Sequence, residues 1–150
     1  CTTIEKKEKT MSNNIVIRTI SRILIPFIQL FAFYVIAHGE LGPGGGFQGG
    51  VIFSASIILY RIVFGMDDAS SRMSEKLTDI LSSMGALIYA LIGLMCILAG
   101  GLYLQYDKLP FGSPKIAIHL GIYGIEIGIG ITVAAVLITI FFEIAGQKDD

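Results

Sequence analysis

Charge is what this 150-residue chain has least of: lysine, arginine, aspartate and glutamate together make up 15% of it, against about 25% in an ordinary soluble domain. The formal net charge of −1 leaves no basic surface on which a nucleic acid would settle, so nucleic-acid partners are excluded. Only two cysteines occur, Cys1 and Cys96. Two thiols so far apart make neither a disulfide framework nor a cysteine-rich metal site. No grouping of His, Cys and carboxylates has metal-ligand spacing, and no nucleophile stands near a base. The sequence therefore predicts no metal, no cofactor and no catalytic residue.

What fills the chain is apolar. Hydrophobic residues reach 53% and mean hydropathy is +0.73, more apolar surface than a soluble domain of this length can hide. A span needs roughly 20 mostly apolar residues, and four stretches qualify: about Ile20–Ala37, Phe47–Phe64, Leu77–Leu104 and Ile116–Ile144. The expected fold is all-α, an integral membrane protein of four transmembrane helices in one domain, 20–144. Polar tails, 1–19 and 145–150, flank it, and Met11 is a possible native start within the first. The first apolar stretch is too long for a cleavable signal peptide and lacks a small-residue cleavage pattern.

Lysine and arginine placement gives the direction. Lys6, Lys7, Lys9, Arg18, Arg22, Arg61, Arg72, Lys76 and Lys148 fall on one side, and Lys108 and Lys115 on the other. Nine against two puts both termini in the cytoplasm under the positive-inside rule. Arg61, near the end of the second span, is expected to snorkel to the headgroups or to pair across a subunit contact.

Between the first two spans lies "HGELGPGGGFQGGVIF", His38 to Phe53, with seven glycines. Gly44, Gly46 and Gly49 match G-x-G-x-x-G, but a dinucleotide cradle needs a strand before it, and a P-loop needs Lys-Ser or Lys-Thr after it. Neither is present. On a helix, Gly42, Gly45, Gly46, Gly49 and Gly50 share one face, which lets another backbone approach closely. Pro43 suits the first turn of such a helix. Glycine is a poor helix former, so a partly unwound entry is the other reading. Either form implies a closely apposed partner.

The fourth span carries its own pattern. Glu126 sits near its middle, where a carboxylate costs several kcal/mol unless it is paired, hydrated or protonated. That makes it a candidate for proton or cation exchange, with a structural hydrogen bond as the alternative. His119, Tyr123 and Glu126 form one polar stripe, while Gly121, Gly124 and Gly128 lie on the opposite face with Thr132 and Ala135. His38 and Glu40, at the end of the first span, are further candidates for capturing a proton or cation.

"PGGGFQGG" after a first span and a His-Gly pair, together with "GIYGIEIGIGITV" in the fourth span, resembles the MrpB/MnhB family, whose members are subunits of multisubunit Mrp-type Na⁺/H⁺ antiporters. The similarity runs from about Ile15 to Ile144. Pro43, Gly44, Gly45, Gly46, Phe47 and Gly49 match the family's signature, with Gln48 and Gly50 inside the same run. That family also supplies a subunit to membrane-bound hydrogenase-type complexes. The chain departs from many antiporter versions at three places: Glu40 stands where a histidine is usual, Gln48 where an aliphatic residue is, and Glu126 where an aspartate is. The resemblance implies a non-catalytic subunit in a prokaryotic plasma membrane, scaffolding other hydrophobic antiporter-module subunits and contributing Glu126 to an ion path. The departures point to a respiratory assembly with hydrogenase or other iron–sulfur subunits. A stand-alone antiporter, a small homodimeric carrier built on Glu126 and a quinone-touching enzyme subunit are the rival readings.

Overall fold

Long apolar runs without a polar face have one way to satisfy their backbone in a bilayer, which is to close every hydrogen bond within a helix. The computed structural model describes residues 14–39, 44–65 and 75–146, and there the apolar runs are helices: α1 (Ile15–Ala37), α2 (Gly46–Phe64), α3 (Glu75–Leu98) and α4 (Pro114–Gly146). All four are long and apolar enough to cross a membrane. A single 3₁₀ turn, Tyr106–Lys108, interrupts the connection between α3 and α4.

Glycines end the helices. The first residue of α2 is Gly46, because Gly45 before it holds φ +115° and ψ −178°, a backbone region that is essentially glycine-only. The glycine run is therefore non-helical at Gly44 and Gly45 and a helix face from Gly46 onward; Gly42 and Pro43 lie outside the described residues. The third helix stops at Leu98, six residues before the expected end at Leu104. Gly100 takes φ +84° and donates its N–H to Ile97 O at 2.9 Å, and Gly101 donates to Cys96 O at 3.0 Å. These bonds satisfy the last carbonyls and turn the chain. Leu102 to Leu104, apolar enough to read as span, belong instead to a loop that folds back. Its Leu109 is buried with Cys96 and Ala117, and Tyr106 packs on them.

The helices form a row, α1–α2–α4–α3, in which α4 packs on both α2 and α3 and α1 packs on α2. Glycine sets each spacing. A Cβ on Gly50 would lie 2.7 Å from Gly130 O and 3.1 Å from Val133 Cβ; one on Gly85 would lie 2.5 Å from Gly128 O; one on Gly49 would lie 2.9 Å from Ala32 O. Phe33 of α1 meets Phe53 of α2 with ring centres 5.5 Å apart. Across α3 and α4 the Thr132 hydroxyl sits 3.3 Å from Ser82 O and 3.0 Å from Gly128 O. The close partners that the glycine faces call for are thus found inside the chain.

Arg61 does not snorkel. It is 6% exposed, with its guanidinium carbon 3.1 Å from the centre of the Phe142 ring. Counting in helical turns from Gly46 and Gly50 places Arg61 on the side of α2 that faces α4, where an aromatic face lies against its guanidinium. Arg18 and Arg22 stand over the Phe64 ring at 5.5 and 5.8 Å. Three arginines therefore mark one end of the row.

Candidate functional site at Glu126

The α1–α2 hairpin turns back at the middle of α4, and Glu126 is the residue it meets. A Cβ built on Gly39, just past the end of α1, would collide with Glu126 Oε1 and lie 2.7 Å from its Cδ. On Gly45, the residue that starts α2, a Cβ would come within 3.5 Å of the same oxygen. One on Gly46 would strike the Glu126 carbonyl oxygen, 3.0 Å from its Cα. Bare backbone from two helix ends thus encloses a carboxyl group that α4 presents halfway along its length. Any residue larger than glycine at Gly39 or Gly46 takes space that Glu126 occupies.

The two helix ends differ electrically. At α1, carbonyls of the last turn are already used: His38 N–H donates to Tyr34 O at 3.0 Å, Gly39 N–H to Ile36 O at 3.3 Å and Gly45 N–H to Val35 O at 3.3 Å. At α2, the first turn's N–H groups precede any intrahelical acceptor. No acidic residue caps them from within that turn. The start of α2 lies beside the carboxyl group, and a helix N-terminus favours nearby negative charge by about 0.3–2 kcal/mol.

His119 and Tyr123 lie on the same side of α4 as Glu126, nearer the start of the helix. His119 is exposed and Tyr123 half-buried. His38 occupies the hairpin tip next to Gly39; it is exposed and its ring rests 4.1 Å from that of Tyr34. Glu40 and Pro43 lie outside the described residues. Gly44 sits where a Cβ would be 3.1 Å from Val35 O. Phe47, 63% exposed, and Gln48, also exposed, face away from the packed side of α2.

The other side of α4 serves a different purpose. Gly121 receives the Tyr106 ring, Gly124 faces Ile92 Cδ1 at 2.7 Å, and Gly128 faces Gly85 O at 3.0 Å. These three glycines seat α3 and its loop. Among the described residues, no three His, Cys, Asp or Glu side chains come together as a metal site would need.

Sequence reasoning missed three contributors. Gly39, visible in the sequence only as part of a His-Gly pair, lies against the carboxyl group. Gly85 and Gly130, single glycines in apolar runs, are contact points on either side of α4. Their signal was their position opposite Thr132 and Gly46, which only the helix pairing reveals.

Comparison with known proteins agrees with this architecture. The family model described as a domain related to the MnhB subunit of Na⁺/H⁺ antiporter matches residues 16–139. An antiporter subunit mnhB2 of Staphylococcus haemolyticus is 30% identical over 138 residues, covering 91% of this chain and 97% of that protein. The subunit of the same name from Staphylococcus aureus (strain MRSA252) is 29% identical over 139 residues, with the same coverage of each chain.

Proposed function

The chain belongs to the MnhB family of Na⁺/H⁺ antiporter subunits, and from that premise we propose that it works within a multisubunit antiporter module with Glu126 on the ion path. The observation that carries the proposal is the enclosure of the Glu126 carboxyl group by Gly39, Gly45 and Gly46. A carboxylate in mid-span is kept only where something uses or stabilises it. Here the backbone at Gly39 and Gly45 lies against the carboxyl group, and backbone dipoles stabilise a charge without neutralising it. A single carboxylate that takes up either H⁺ or Na⁺, but not both together, links the two movements. His119 and Tyr123, farther along the same side, extend polar character toward the start of α4. The chain's own contribution is binding and placement, with no bond-making step.

In this reading the termini face the cytoplasm of a bacterial cell, as the nine-to-two distribution of Lys and Arg directs. Partners are the larger hydrophobic subunits and lipid. The long exposed apolar face of α1, with Phe27 and Leu30 each 64% exposed and Phe33 57%, suits both.

Glu126→Gln in everted vesicles tests the site. Loss of Na⁺-dependent proton movement with a normally assembled complex is the expected result, and Glu126→Asp should keep much of it. Normal transport in an assembled Glu126→Gln complex would remove the carboxylate from the path. A second reading, membership of a hydrogenase-type complex, draws on Glu126, Glu40 and Gln48 standing where many antiporter versions differ. Mass spectrometry of the native complex decides: iron–sulfur subunits in the band support that reading, and antiporter subunits alone exclude it. A small homo-oligomer would instead favour a self-contained carrier.

A further inference from the structure

Gly39 and Gly45 are level with Glu126, whereas α4 begins at Pro114, about 18 Å farther along at 1.5 Å per residue. Above that level the described residues cover α4 on one side. Ala117 is buried with Leu109 and Cys96, and Gly121 lies under Tyr106. The other side carries Lys115, His119, Ile122 and Tyr123 and ends at Glu126. At 100° per residue these fall within roughly a 100° arc. Lys115 and His119 are exposed, and Ile122 and Tyr123 half-buried.

In the other direction the route is shut. Immediately beyond Glu126, the backbone of Gly50 closes on Gly130 and Val133. Farther on, the residues in line with Glu126 are apolar, Val133, Leu137, Ile140 and Ile144, and offer water no polar wall. A lysine, a histidine and a tyrosine rising in line from a carboxyl group suit water, and neither lipid tails nor an apolar helix would solvate them.

We propose that this side of α4 walls an aqueous recess above the α1–α2 tip, and that Glu126 exchanges H⁺ or a monovalent cation only with the compartment facing the 99–113 loop. The exchange part rests on Glu126 being in the ion path; the recess does not. Passage toward the arginine end then belongs to a neighbouring subunit.

The test is thiol labelling of the assembled complex in right-side-out and everted vesicles, with Cys1→Ser and Cys96→Ala as background. Tyr123→Cys and, separately, His119→Cys report on the recess, and Lys108→Cys on the exposed loop reports which side the loop faces. A charged, membrane-impermeant methanethiosulfonate should modify the recess positions about tenfold faster or more from the side that labels Lys108→Cys, since reaction follows thiol exposure. Equal rates, faster labelling from the opposite side, or no labelling in a complex that has assembled would each overturn the recess. So would labelling in the detergent-isolated chain but not in the complex, because a partner would then fill the space. One-sided labelling combined with normal transport by Glu126→Gln would refute the exchange while leaving the recess in place.

Discussion

Gly46→Ala tests whether backbone contact fixes α2 against α4. The added methyl would meet the Glu126 carbonyl oxygen and lie 2.7 Å from its carbon and 3.0 Å from its Cα. All three atoms are backbone, so no rotamer change relieves the overlap and the helices must part by about 1 Å or more to restore ordinary contact. Parting them also loosens Gly50 against Gly130. Overpacking of this kind costs about 1–3 kcal/mol, and two coupled backbone contacts put it near the top of that range. Gly46 is the first residue of α2, so the helix-interior gain of about 1 kcal/mol for Ala over Gly is largely lost there. The expected loss is about 3 kcal/mol, roughly a hundredfold in the unfolding equilibrium. Gly124→Ala is the matched control. Its methyl would meet only Ile92 Cδ1, at 2.7 Å, the far end of a side chain that can rotate away. Mid-helix, that change should be neutral or stabilising by up to about 1 kcal/mol. Unfolding of the purified chain by SDS in mixed micelles, followed by circular dichroism, measures both. Losses equal to within about 0.5 kcal/mol would show that helix spacing is not set by backbone contact at Gly46.

Gly39→Ala should separate stability from transport. Its methyl meets the end of the Glu126 side chain, which can move, and Gly45 Cα at 2.5 Å. We expect a loss of about 1–2 kcal/mol but a several-fold shift in the apparent Na⁺ affinity of transport; unchanged affinity would mean that the carboxyl group's placement is immaterial. Phe142→Leu removes the ring beneath Arg61 and should cost about 2 kcal/mol or more in the same unfolding assay. A loss below about 0.5 kcal/mol would deny the contact any weight. Alkaline pH should loosen the α3–α4 connection. Burial first, and the neighbouring Tyr89, raise Tyr103 above the ordinary 10.0, and burial with Cys96, Tyr89 and Tyr103 raises Tyr106. A folded state that holds these protons more tightly than the unfolded chain is fully favoured below pH 10.0 and loses that advantage as pH rises through the folded values. The melting temperature should therefore fall above that pH, and fall less in the double variant Tyr103→Phe, Tyr106→Phe; an equal decline in both proteins would refute it.

How much of this the sequence discloses follows from the range of each signal. Apolar run length shows the four helices, because a membrane leaves the backbone no alternative. Helical spacing on α4 also separates Gly121, Gly124 and Gly128 from His119, Tyr123 and Glu126, since residues on one helix keep their relative angles whatever packs against them. Boundaries within glycine-rich or apolar stretches are hidden. The start of α2 depends on the φ of Gly45, and the end of α3 depends on two glycines embedded in residues as apolar as the helix itself. Contacts between distant segments are hidden too. Arg61 lies over the uncharged Phe142 ring, a contact that no charge pattern announces. Gly39 gains its meaning only when α1 and α4 are placed side by side.

The choice of glycine around Glu126 has an energetic logic. A lysine or arginine 4 Å from the carboxylate would contribute about 4 kcal/mol at an effective dielectric near 20, enough to hold the charged form through any physiological pH change. A helix N-terminus contributes at most about 2 kcal/mol in a partly buried setting. If Glu126 exchanges an ion in every cycle, as proposed, the weaker interaction serves it better, because it leaves both states within reach. Glycine is what allows a helix end to come that close, because any Cβ at Gly39 or Gly46 would occupy the space of the carboxyl group or its backbone. Lys115, the lysine on the same stripe, is about 16 Å along α4 from Glu126, roughly two Debye lengths at physiological salt. At that distance it can draw or repel ions at the mouth of the recess without fixing the charge at its floor.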